Sequence, residues 1–136
     1  MRILITGAKG FVGRNLTEHL RFLGGHTLYL CDLDTPDSEL AGWCRDADFV
    51  FHLAGVNRPE NPEDFLSGNR DFPSVLLAHL EASGNTCPIM VSSSTQAALD
   101  NPYGRSKLAG ERLFLLHSER TGAPLYLFRF PNIFGK

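Results

Sequence analysis

The stretch RILITGAKGFVG, Arg2 to Gly13, decides the fold. Ile3, Leu4 and Ile5 make a short apolar run suited to a strand buried on both faces, and Gly7, Gly10 and Gly13 follow it at intervals of three. In a strand-to-helix turn the first glycine of such a set permits a sharp bend and the second lets a phosphate approach the backbone. The third lets the helix pack closely on the strand. A helix starting near Gly10 aims its free N–H groups and the positive end of its dipole at the same point. The turn therefore suits the pyrophosphate of a pyridine dinucleotide lying over Gly10 to Val12, with Gly7, Lys9, Gly10, Phe11 and Val12 as cofactor-binding residues. Glycine turns join many strands and helices without binding anything; context marks this one. A strand precedes it, and Leu16, Leu20 and Leu23 then fall on one side of a helix, with Arg14, Glu18 and Arg21 on another. Gly24 and Gly25 stop that helix.

Strands and helices alternate from there to the end. His26 to Asp32 reads as a second strand, and Pro36 to Arg45 as a short helix with Thr35 as its cap and Trp43 as its apolar anchor. Asp48 to Gly55 reads as a third strand running into the small-residue turn Leu53-Ala54-Gly55. That turn leaves room for a cofactor at the carboxyl end of the sheet. His52 within it reads as structural. A long helix from Glu63 to Ala82, interrupted by Pro73, leads to a fourth strand at Pro88 to Val91. A helix from Tyr103 to Thr121, closed by Gly122 and Pro124, leads to a fifth strand at Leu125 to Phe130. This alternation predicts a Rossmann-type, doubly wound parallel β-sheet in the α/β class, with right-handed crossovers and both faces covered by helices.

Composition narrows the function. A chain of 136 residues suits one domain with a real core. A net charge of -2 offers no electrostatic case for nucleic acid or an anionic membrane. No apolar run approaches the roughly 20 residues that span a bilayer, and no signal peptide is legible, so the expected location is cytoplasmic. Cys31, Cys44 and Cys87 are odd in number and lack metal-ligand spacing, so they read as plain thiols, with no disulfide and no metal.

Two clusters carry chemistry. At the end of the second strand Asp32, with Asp34 as its neighbour and rival, stands about 20 residues beyond the glycines, where a carboxylate accepts the adenosine ribose hydroxyls and repels a 2′-phosphate. Ser92, Ser93 and Ser94 close the fourth strand, and Tyr103 and Lys107 lie four apart on one helix face. An ammonium near a phenol lowers its pKa from about 10 toward neutrality, where Tyr103 can exchange a proton with a carbinol or ketone. Lys107 can also hold the nicotinamide ribose, and a serine hydroxyl at the strand end can bind the substrate oxygen.

In its motifs the chain resembles the extended short-chain dehydrogenases, the NAD-dependent epimerase/dehydratase family that acts mainly on nucleotide sugars. The matching stretches are TGAKGFVG at Thr6 to Gly13, HLAG at His52 to Gly55, SSS at Ser92 to Ser94, NPYGRSK at Asn101 to Lys107 and FRFPNIFG at Phe128 to Gly135. The resemblance implies that Tyr103 is the proton donor or acceptor and Lys107 its partner, both also touching the cofactor. Ser94 completes the catalytic set, with Ser93 as runner-up and substrate-binding residue. Asn69 would support the active site and Asn132 would touch the nucleotide sugar. Leu53, Ala54 and Gly55 would line the cofactor.

The wording of these motifs is most similar to capsular polysaccharide reductases, which reduce a 4-keto UDP-N-acetyl-amino sugar. That resemblance implies a chain corresponding to the N-terminal portion of a longer protein, 1–136 being its NAD(P)-binding domain, and a homodimer at full length. It also implies NADP(H), while Asp32 favours NAD(H) over NADP(H), with Lys9 and Arg14 as the cations able to reach a phosphate. A UDP-sugar 4-epimerase or dehydratase is the rival reaction, and a non-catalytic NAD(P)-sensing module the rival class.

Overall fold

The computed structural model describes residues 1–53 and 71–130, with the backbone alone at Ser94, Thr95, Gln96 and Tyr103. Five strands, β1 (Arg2–Thr6), β2 (Thr27–Cys31), β3 (Phe49–His52), β4 (Ile89–Ser94) and β5 (Leu125–Phe130), form one sheet. Its order is β2-β1-β3-β4-β5, and every pairing is parallel. The connecting helices are α1 (Phe11–Leu23), α2 (Asp37–Asp46), α3 (Phe72–Ala82) and α4 (Pro102–Thr121), with a 3₁₀ turn at Thr95–Ala98. This is the predicted doubly wound parallel sheet. The order reverses between β1 and β3, and the crevice at such a switch point is where ligands bind in open α/β sheets.

Strand alternation divides the core in two. Leu4, Val50, Ile89 and Val91 face α2, α3 and α4, meeting Leu40, Cys44, Leu76, Leu77, Leu80 and Phe114 in one buried cluster. Burying each large aliphatic side chain contributes about 1.5–3 kcal/mol. Ile3 and Ile5 face the other way, onto Leu16 and Leu20 of α1. The second face is covered less fully than the sequence predicts. Leu125 packs with the first cluster, so alternation turns Tyr126 and Phe128 to the α1 side, where both remain about half exposed. Leu23, expected on the apolar side of α1, is also exposed and does not join Leu16 and Leu20 in the cluster against Ile3 and Ile5.

Three further expectations shift. Thr35 does not cap α2: Pro36 holds the cap position with no side-chain bond, and the Thr35 hydroxyl instead accepts the Asp32 N–H at 3.0 Å. Trp43 is only partly buried and stacks on Tyr29, with ring centroids 5.6 Å apart, while Leu40 and Cys44 are the deep anchors of α2. The fourth strand runs on to Ser94, because Ser92, Ser93 and Ser94 pair with Phe128, Arg129 and Phe130. Pro73 lies in the first turn of α3, where a missing N–H is no loss. The helix stops are as predicted, at Gly24 and at a left-handed Gly122 with φ 79°. The three cysteines are free thiols, and burial lifts Cys44 to about 12 and Cys87 to about 11.

Candidate functional site

The glycine turn is a cradle built without side chains. Gly7 sits at φ 68°, a left-handed conformation that costs other residues strain, and its carbonyl accepts the Gly10 N–H at 3.0 Å. A methyl on Gly13 would stand 2.1 Å from that carbonyl oxygen, so this glycine is what allows α1 to lie against the turn. Gly10 is roomier, with the nearest atom 3.3 Å from a hypothetical Cβ. It holds the cap position of α1 with no side-chain cap, and no acidic residue occupies the first helical turn. The first turn of this 13-residue helix therefore offers N–H groups that no side chain caps and no acidic side chain of that turn opposes, which fits a pyrophosphate. Phe11 and Val12 flank it, both more than a third exposed.

Asp32, just past β2, is fastened to this turn. Its carboxylate accepts the Lys9 N–H and the Leu33 N–H, each at 2.8 Å. The carboxylate is thus held beside the turn, as a ribose-binding group needs to be. The Lys9 ammonium lies 3.1 Å from Asp34, holding that carboxyl below its ordinary range, so the cation nearest the turn already has a counter-ion.

At the switch point Thr6 ends β1 and His52 ends β3, and the Thr6 hydroxyl lies 2.8 Å from His52 Nδ1. The same oxygen accepts the Leu53 N–H at 3.2 Å, so one threonine hydroxyl ties the ends of β1 and β3 together. Burial, reinforced by the Lys107 charge, pushes His52 down to about 3, so it is a neutral structural histidine at the floor of the crevice. Leu53 packs beside it against the α1-side cluster. Ala54, Gly55, Asn69 and Asn132 lie outside the described residues.

The start of α4 is fixed by Asn101, whose side chain accepts the Gly104 N–H at 2.7 Å, followed by Pro102 in the first turn. Tyr103 therefore opens the helix and Lys107 follows one turn later on the same face. Lys107 and Ser93 share a small cavity of about 20 Å³, lined also by His52, Ser92 and Glu111. Ser93 is buried and its hydroxyl has no hydrogen-bond partner among the described residues. Burial brings Lys107 down to about 8, and the Glu111 carboxylate pulls it back upward. Side chains of Ser94 and Tyr103 lie outside the description, but their backbones close β4 and open α4 beside this cavity. Sequence reading missed Thr6, Glu111 and Arg129. The Arg129 guanidinium grips Glu111 through two bonds of 2.8 and 2.9 Å. The one available signal was the spacing of four between Lys107 and Glu111.

Comparisons with known proteins agree with the fold. The NAD dependent epimerase/dehydratase family matches residues 3–136. A UDP-2-acetamido-2,6-beta-L-arabino-hexul-4-ose reductase of Pseudomonas aeruginosa is 45% identical over 136 residues, which are 100% of this chain and 37% of that protein. The crystal structure of the capsular polysaccharide assembling protein CapF from Staphylococcus aureus superposes with a TM-score of 0.86 at 45% identity, again covering 100% of this chain and 37% of that one. RMD from Pseudomonas aeruginosa, solved in complex with NADPH, gives 0.77 at 27% identity over 96% of this chain and 53% of its own. The chain thus spans little more than a third of the length of the first two relatives. Among the described residues no helix is long and apolar enough to cross a membrane, and no group of three His, Cys, Asp or Glu side chains could hold a metal ion. From residue 3 to its last residue, this chain belongs to the NAD dependent epimerase/dehydratase family.

Proposed function

We propose that this chain is the dinucleotide-binding and acid–base portion of a nucleotide-sugar reductase that reduces a 4-keto UDP-N-acetyl-amino sugar. The observation that carries this is the cavity shared by Lys107 and Ser93 at the carboxyl end of β4, on the same side of the sheet as α4. The name of the Pseudomonas relative, a 4-ketosugar reductase, supports the substrate class.

When bound, the reduced nicotinamide supplies a hydride to the keto carbon. This chain's residues do the rest. The first turn of α1, at Gly10, Phe11 and Val12, holds the pyrophosphate, with Gly7 shaping the bend; Asp32 accepts the adenosine ribose hydroxyls; Leu53, Ala54 and Gly55 line the passage between. Tyr103 gives its phenolic proton to the keto oxygen as that oxygen gains charge, and Lys107 stabilises the phenolate left behind and holds the nicotinamide ribose. Ser94 orients the oxygen, with Ser93 beneath it, and Asn132 binds the nucleotide sugar. NAD(H) is preferred over NADP(H), because Asp32 repels a 2′-phosphate and Lys9 is already paired with Asp34. The reading carries with it a cytoplasmic location and a homodimer in the longer protein.

Incubating that longer protein with NADH or NADPH and the 4-keto UDP-sugar tests this. Loss of the reduced-nicotinamide absorbance with formation of the 4-hydroxy sugar is expected. With oxidised cofactor and a 4-hydroxy UDP-sugar supplied instead, interconversion of the two 4-epimers without net cofactor consumption would make it an epimerase, and dinucleotide binding without turnover in either incubation a sensing module; either result overturns the reductase reading.

A further inference from the structure

The end of β5 is held by an ion pair that the reaction scheme does not use. Arg129 is the last residue but one of β5, and Glu111 lies in the middle of α4. The guanidinium donates from Nε to one Glu111 oxygen at 2.9 Å and from Nη2 to the other at 2.8 Å, a fork that fixes both partners. The Glu111 side chain is only 5% exposed. Taking a carboxylate that deep out of water can cost more than the ion pair returns, and two apolar side chains of similar volume would join α4 to β5 as firmly. Leu125, four residues earlier on the same face of β5, does join the buried cluster by apolar contact alone. What the fork adds is direction. Apolar contact tolerates sliding, whereas two parallel bonds set distance and orientation together.

That direction is applied where β5 reaches the candidate site. Arg129 pairs with Ser93 across the parallel ladder, and the last pair beyond it joins Phe130 to Ser94. Asn132, assigned to the nucleotide sugar in the scheme above, follows two residues after Phe130. At the other end of the fork, Glu111 belongs to the helix that Tyr103 opens and that carries Lys107. One ion pair thus connects the strand leading to the sugar-binding residue with the helix of the acid–base residues. We propose that Arg129 and Glu111 are positioning residues that set the carboxyl end of β5 against α4, and thereby place Asn132 relative to Tyr103 for gripping the nucleotide sugar. The consequence for the sugar rests on the reductase reading above.

The test is made in the longer protein with two variants. Glu111→Leu combined with Arg129→Met exchanges the ion pair for apolar side chains, and Arg129→Lys keeps the charge but loses the fork. The double variant should melt near the parent. In both variants amide hydrogen exchange should quicken at Leu127 to Phe130 and stay as in the parent at Arg2 to Thr6 of β1. The binding probe is UDP-N-acetylglucosamine, which has the nucleotide and the acetamido group but no keto carbon to reduce. Its affinity should fall about tenfold, the worth of one well-placed polar contact, while dinucleotide affinity holds. A double variant with the parent's Tm, exchange and affinity would make the pair a brace and overturn the proposal. Faster exchange with unchanged affinity would overturn it as well, because the grip on the sugar would then not depend on the pair. Should the double variant fail to fold, Arg129→Lys decides by the same two readouts. Failure of the reductase reading looks different: the parent then leaves the 4-keto sugar unreduced while the variants still lose affinity for the probe.

Discussion

Gly13→Ala is the sharpest perturbation of the cradle. Two effects of opposite sign compete. Gly13 lies inside α1, where alanine in place of glycine favours the helix by about 1 kcal/mol. Against this, the new methyl would sit 2.1 Å from the Gly7 carbonyl oxygen, 2.9 Å from Ala8 Cα and 3.0 Å from the Gly7 carbonyl carbon. All three atoms are backbone, so no side-chain rotation relieves the contact. Either α1 lifts off β1, losing packing of Leu16 and Leu20 on Ile3 and Ile5, or the left-handed Gly7 turn opens. Overpacking of this kind costs about 3 kcal/mol, the upper part of the usual range, because the obstruction is rigid. The net expectation is a loss of about 2 kcal/mol, or roughly 8 °C in Tm for a chain of this size. Thermal unfolding followed by circular dichroism measures it. Gly10→Ala is the control: its methyl meets nothing closer than the Gly7 carbonyl oxygen at 3.3 Å, so Tm should fall far less than in Gly13→Ala while dinucleotide affinity falls. A Gly13→Ala chain as stable as the parent, or more stable, would refute the packing argument, because helix propensity would then have prevailed.

Three other expectations follow from the site. His52 takes up a proton in the unfolded chain below about 6.5 but in the folded one only near 3, so its contribution to stability is complete above 6.5 and is lost as pH falls toward 3. The slope is about 1.4 kcal/mol per pH unit, read as the difference between parent and His52→Gln in denaturant titrations at several pH values. Tyr103→Phe in the longer enzyme should lower turnover by about two or more orders of magnitude with cofactor affinity largely kept; near-normal turnover would remove it as the proton donor. Asp32→Ala should narrow the preference for NADH over NADPH in calorimetry, and tighter NADPH binding by the parent would transfer the 2′-phosphate to Lys9 and its neighbours.

Local signals made the frame readable. Ile3 to Ile5, Gly24 and Gly122 each act through the conformation of a few consecutive residues, so strand, stop and turn could be located from the sequence. The proposed site was legible where it rests on spacing along the chain, as with Gly7, Gly10 and Gly13, or Tyr103 and Lys107. It was illegible where two distant elements meet. Thr6 and His52 are partners only because β1 and β3 adjoin, and Glu111 finds Arg129 only because α4 packs on β5. In sequence Glu111 resembles any other charge on an amphipathic helix. Thr35 shows the converse error: a good capping residue in the right place, its hydroxyl was drawn to the Asp32 backbone instead.

The place of β1 between β2 and β3 has a consequence for the order in which the sheet can assemble. β1 is paired on both sides, by β2 and β3, and its last pairing, Thr6 with His52, spans 46 residues. A nascent chain therefore carries Ile3, Leu4 and Ile5 unsheltered until both flanking strands have emerged. Pairing with β2 comes first, and closure by β3 must await a longer loop, at a greater entropic cost. The end of β1 cannot take its final shape before that closure, because the Thr6 hydroxyl bonds His52 and the Leu53 N–H. The crevice between β1 and β3 is thus completed only when the third strand docks, however early the glycine turn is made.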